Sequence, residues 1–137
     1  MVPFAIAPFF GWLVAGSLKF AINTIRQRGA AWSQIGYGGM PSTHTTIVST
    51  TALLIGLREG WNTPAFAAAA ALAFVVTLDA VSLRGQIGAH ARTLNALMSE
   101  HATYRAVRER IGHHWTEVLG GVVVGFGCAL VLNWLSR

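Results

Sequence analysis

Two histidines, far apart in the chain, are of the residue type that acid–base or nucleophilic chemistry needs. His44 closes the run Gly38-Gly39-Met40-Pro41-Ser42-Thr43-His44, which opens into the apolar stretch 45–57. Turn glycines let backbone N–H groups converge on a point. A helix starting just after them adds its positive end, and Ser42 or Thr43 is of the right type to cap it. The pattern predicts an anion cradle holding one titratable group. A capped helix after a tight turn explains the same residues without any chemistry. The second histidine, His113, shifts the balance. It stands four residues before Glu117, one helical turn, so the two side chains can touch. A carboxylate on one imidazole nitrogen fixes the tautomer and leaves the other nitrogen free to attack. His114, three residues before Glu117, is also within reach, so spacing does not choose between the two.

Cations accompany the histidines. Lys19 and Arg26 are seven residues apart, so on one continuous helix they face the same way. Lys19 lies inside an apolar stretch, where a charge marks either function or a lysine snorkelling to headgroups. Asp79 can pair with Arg84 or Lys19, or simply end its segment.

The elements that must position these residues are membrane helices. Of the 137 residues, 53% are hydrophobic and 11% charged, against about 25% charged in soluble domains. Apolar stretches occupy residues 2–18 (extending to about 25), 45–57, 64–78 and 118–136. A spanning helix needs about 20 such residues, and 45–57 reaches that length with a first turn over 41–45. The expected fold is therefore a single all-α domain over 1–137. It is an integral membrane bundle of about four transmembrane helices, with interfacial helical segments in the 82–117 loop. There Ala91, Leu94, Leu97 and Met98 follow helical spacing, which predicts a helix over 88–102 along the membrane surface. The first stretch lacks a basic leader region and reads as a retained segment. The net charge of +5 suits anionic lipid or an anionic substrate, not nucleic acid. Cys128 is the single cysteine, so no disulfide forms within one chain. Four spans put both chain ends on one side and bring the 26–39 linker and the 82–117 loop together on the other. His44 and His113 then meet with Arg26, Arg84 and the Arg105, Arg108, Arg110 cluster, a site for an anion such as phosphate. Gly121 and Gly125 form a small-x3-small pattern, available to a homodimer or to packing within the chain.

Taken together, Lys19-x6-Arg26, Pro41-Ser42-Thr43-His44 and Arg108…His113-x3-Glu117 resemble the three-part signature of phosphatidic acid phosphatase type 2 enzymes and vanadium haloperoxidases. The match is closer to the small divergent branch of that superfamily. Gly39-Met40-Pro41-Ser42-Thr43-His44 is similar to its second motif, and Gly112, His113, Glu117 and Val118 to its third. Asp79 and Arg84, followed by Leu94-Asn95, resemble a further element, so Asp79 and Asn95 are expected to support the site. The chain departs from the wider superfamily pattern at Gln27, Thr43, Val107 and Glu117. The usual residues there are proline, glycine, arginine and aspartate.

The resemblance implies a mechanism. His113 is the expected nucleophile, Glu117 its orienting group and His44 the acid and base. Lys19, Arg26, Ser42, Thr43, Arg84 and Arg108 are the expected phosphate ligands. Cations and dipoles supply the charge stabilisation, so no metal and no cofactor is expected. Partners are the membrane and a lipid phosphate or diphosphate; phosphatidate, phosphatidylglycerophosphate and isoprenyl diphosphates all qualify. The expected location is a bacterial inner membrane with the site face cytoplasmic. Two other classes compete: a metal site of His44, His113, His114 and Glu117, and a non-catalytic membrane protein that keeps an anion pocket.

Overall fold

The apolar runs are bounded by residues that start or stop helices, and helices form between those bounds. The computed structural model describes residues 2–27, 39–101, 103–109 and 111–137, with the side chains of 26 and 27 outside it. A 3-10 turn over Phe4–Ile6 leads into α1 (Ala7–Gln27); α2 (Thr43–Glu59), α3 (Pro64–Val81), α4 (Leu83–Met98) and α5 (Trp115–Trp134) follow. Among the described residues there is no strand. Gly39, at φ 92°, makes the turn before α2, a conformation that favours glycine. Ser42 caps α2 and Thr63 caps α3, each accepting a backbone N–H three residues on, with Pro64 in the first turn of α3.

Three helical stretches are long and apolar enough to cross a membrane: Phe4–Ile25, Pro64–Met98 and Trp115–Trp134. The 20 residues of α5 rise about 30 Å, the thickness of the hydrocarbon core. Exposed Trp115 and Trp134 stand at its two ends, as tryptophan does at membrane interfaces. The fourth helix of the bundle, α2, is shorter at 17 residues and packs against α1, α3 and α5 at the centre. Two of its buried hydroxyls bond along their own helix: Thr46 Oγ1 donates to Ser42 O (2.9 Å) and Thr50 Oγ1 to Thr46 O (2.7 Å). Both hydroxyls are thereby satisfied in an apolar interior.

Close packing of α2 on α5 depends on Gly121 and Gly125. A Cβ at Gly121 would lie 2.7 Å from Ser42 O, and one at Gly125 would lie 2.7 Å from Ser49 Cβ. The small-x3-small pattern is thus used within the chain, and a homodimer gains no support from it. The helix expected over 88–102 is α4, which starts earlier. Ser82 N–H donates to Leu78 O and Gln86 N–H to Ser82 O, so helical bonding runs through the one-residue break after α3.

The ends of the described chain meet at one end of the bundle. Arg58 Nη1 donates to Val2 O (2.6 Å), its Nη2 donates to Leu132 O (2.7 Å) and to Ser136 Oγ, and its guanidinium lies 5.2 Å from the centre of the Phe4 ring. Ser42 and Glu117 sit at the opposite ends of the same helices, α2 and α5.

Candidate active site

At that opposite end the start of α2 touches the start of α5, where Ser42 N–H donates to Glu117 O (2.9 Å). The carbonyl of Ala80, in the last turn of α3, accepts the N–H of His113 (3.0 Å). Gly112 lies against the first turn of α4: a Cβ on it would be 2.9 Å from Gly85 N. The starts of α2 and α5 therefore meet beside His113, each bringing the positive end of a helix dipole, and the first turn of α4 lies against Gly112 next to it.

Glu117 Oε2 lies 2.6 Å from His113 Nδ1 and accepts the backbone N–H of His114 at 3.3 Å. The choice left open by spacing is resolved in favour of His113. Its side chain is 8% exposed and held by Glu117, whereas His114 is exposed at the N-cap of α5. A carboxylate acceptor requires the proton on Nδ1, which leaves the Nε2 lone pair for chemistry. Lys19 on α1 is 6% exposed, and the buried Glu117 carboxylate lies within electrostatic range of it. Burial of a charge is costly, and the attraction of Glu117 offsets part of that cost for the lysine. His44, in the first turn of α2, is exposed, with Arg84, His113, Lys19 and Asp79 as the charges around it. Arg84 Nε binds Asp79 Oδ2 at 3.0 Å, so Asp79 pairs with Arg84.

Ser42 is fully buried, and its Oγ accepts from Thr45 N–H (3.4 Å) and Thr45 Oγ1 (3.0 Å). It serves as a cap and presents no surface to a phosphate, so its assignment as a ligand is corrected. Thr43 is partly exposed as the first residue of α2. Arg108 is exposed on the segment returning along α4, and it is Arg84 that stands among the charges around His44. Arg26 lies in the last turn of α1, with its side chain outside the described residues, as are Gly38 and Arg110. The alternative metal set of His44, His113, His114 and Glu117 is not assembled: among the described residues no three or more His, Cys, Asp or Glu are grouped to hold an ion.

Asn95 reaches the returning segment and bonds to Tyr104, Val107 and Glu109. Tyr104, Glu109 and Gly88 were not legible as part of this arrangement. The available signal was Gly88, a glycine inside a helix, where a Cβ would lie 2.3 Å from Glu109 O.

The family comparison fits this placement of motifs. The divergent PAP2 family matches residues 3–128, nearly the whole chain. The chain belongs to that family. Its match therefore takes in α1 to α4 and the first part of α5, including every residue around His113. An uncharacterized membrane protein, YuiD of Bacillus subtilis (strain 168), is 28% identical over 139 residues, covering 89% of this chain and 88% of its own length. No solved structure matches the chain. A membrane location follows from the three apolar helices and this relative.

Proposed function

We propose that this divergent PAP2 family member is a membrane lipid phosphatase that hydrolyses a lipid phosphate or diphosphate monoester through a phosphohistidine, without a metal. The observation that carries the reading is the buried His113–Glu117 pair, with Lys19 beside Glu117 and His44 opposite. His113 Nε2 attacks phosphorus while the bond from phosphorus to the lipid oxygen breaks, and His44 protonates that oxygen. His44 then takes a proton from water, the water oxygen attacks phosphorus, the P–N bond breaks and phosphate leaves. Glu117 holds the Nδ1 proton throughout. Lys19, Arg84 and the free N–H groups at the start of α2 offset the charge on the equatorial oxygens; Arg26 and Thr43 are further candidates.

A lipid substrate is supported by depth. Trp115 marks a membrane interface, and His113 lies two residues before it, at headgroup level. The proposed location is a bacterial inner membrane with this face cytoplasmic. In the sequence, even without Arg26, Arg84 and Arg108, the linker and loop expected on the site side hold Arg28, Arg92, Arg105 and Arg110, against Arg58 and Arg137.

The deciding experiment is phosphate release from phosphatidate, phosphatidylglycerophosphate and isoprenyl diphosphates in detergent, with and without a strong chelator. It is paired with acid-labile trapping of labelled phosphate on histidine. Release and trapping that survive the chelator and vanish in His113→Ala are expected. Phosphate binding without release from any of these lipids would instead make the chain an anion-binding membrane protein.

A further inference from the structure

Residues 103–109 and 111–114 form neither helix nor strand, yet they deliver His113 to Glu117. Something other than a backbone ladder must hold them. Asn95 on α4 spends all four hydrogen-bonding positions of its amide on this segment. Its Nδ2 donates to Val107 O (2.8 Å) and Glu109 Oε1 (2.7 Å), and its Oδ1 accepts from Val107 N–H (2.9 Å) and Tyr104 O–H (2.7 Å). An amide has two donors and two acceptor lone pairs, so none is spare. The partners also fix its orientation, because a flipped amide would face donor to donor and acceptor to acceptor. The segment then lies directly on α4: a Cβ at Gly88 would be 2.3 Å from Glu109 O. Three residues later Gly112 rests on Gly85, and the His113 N–H meets Ala80 O.

We infer that Asn95, with Tyr104 and Glu109, is a positioning clamp for His113: it sets where the imidazole meets Glu117 and hence the rate of attack, not lipid binding. The inference rests on His113 being the nucleophile proposed above. Asn95→Asp tests it with almost no change of shape. The new oxygen would face the Val107 carbonyl and the Glu109 carboxylate, replacing two attractions with two repulsions.

Misplacing a reacting group by about 1 Å can cost on the order of 100-fold. In Asn95→Asp, kcat for phosphate release is expected to fall about 10–100-fold, with KM changed less than about twofold. Adding Glu109→Gln returns an N–H donor towards residue 95 and is expected to recover part of the loss. An activity-independent readout is the Nδ1–H proton resonance of His113 in 15N-histidine-labelled protein in detergent, assigned by its disappearance in Glu117→Gln. It is expected to shift or broaden in Asn95→Asp and to move back in the double variant. Unchanged kcat and resonance in Asn95→Asp would overturn the clamp, as would a loss that Glu109→Gln does not relieve. Should Asn95→Asp not fold, Tyr104→Phe decides in the same assays. Full activity in His113→Ala would refute the phosphatase mechanism instead, and the resonance alone would then judge the clamp.

Discussion

Gly121→Ala tests the packing that joins the fold to the site. The added methyl would sit 2.7 Å from Ser42 O and 2.9 Å from Thr45 Cβ. Ordinary contacts are about 3.5–4.0 Å, so α2 and α5 must separate by on the order of 1 Å. Neither neighbour can swing aside, since one is a backbone oxygen and the other is attached directly to the backbone. Overpacking of this kind costs about 1–3 kcal/mol. The same movement stretches the Ser42 N–H to Glu117 O bond, now 2.9 Å, worth about 0.5–1.5 kcal/mol. Replacing glycine by alanine in a helix returns up to about 1 kcal/mol. The net loss is about 0.5–4.5 kcal/mol by these magnitudes. Gly127 on the same helix has nothing within 4 Å of its would-be Cβ, so Gly127→Ala collects only the helical gain of up to about 1 kcal/mol. Unfolding in SDS, followed by tryptophan fluorescence, should rank Gly127→Ala at or above the parent and Gly121→Ala clearly below it. Phosphate release should fall in Gly121→Ala alone, because His44 moves with α2 away from His113. Equal stability of the two alanine variants would refute the claim that Gly121 sets the α2–α5 distance.

His113→Ala should abolish phosphate release while His114→Ala keeps much of it, because only the His113 side chain is held by Glu117; full turnover in His113→Ala would remove it as nucleophile. His44→Ala should slow reaction on lipids about 10²–10⁴-fold but barely affect an activated aryl phosphate, whose leaving group needs no proton. Equal losses on both substrates would take His44 out of the acid role. With Cys128 replaced, Ser99→Cys should resist a membrane-impermeant thiol reagent in intact cells, and ready labelling there would reverse the proposed orientation.

What the sequence determined about this protein is what acts over a few residues. Apolar runs close to a bilayer thickness dictated helices, and glycine, proline and hydroxyl residues marked where α2 and α3 begin. His113 and Glu117, one turn apart, were bound to be neighbours once α5 started near them. Asp79 and Arg84 likewise needed only a turn of chain to pair. The divergent PAP2 motifs were legible for the same reason, since each is a short stretch of fixed spacing.

What only the tertiary structure decided is which distant segments touch. The family resemblance implies Ser42 as a phosphate ligand, but the arrival of Glu117 and the packing of Gly121 bury it as a cap. Gly121 and Gly125 could have faced another molecule, and α2 claims them. Asn95 was expected to support the site only through the family resemblance, and its four bonds exist only because residues 104–109 fold back along α4. Lys19 and Glu117 stand almost a hundred residues apart in sequence, so no local pattern pairs them. Burial decides it: two opposite charges that leave water must be brought within reach of one another.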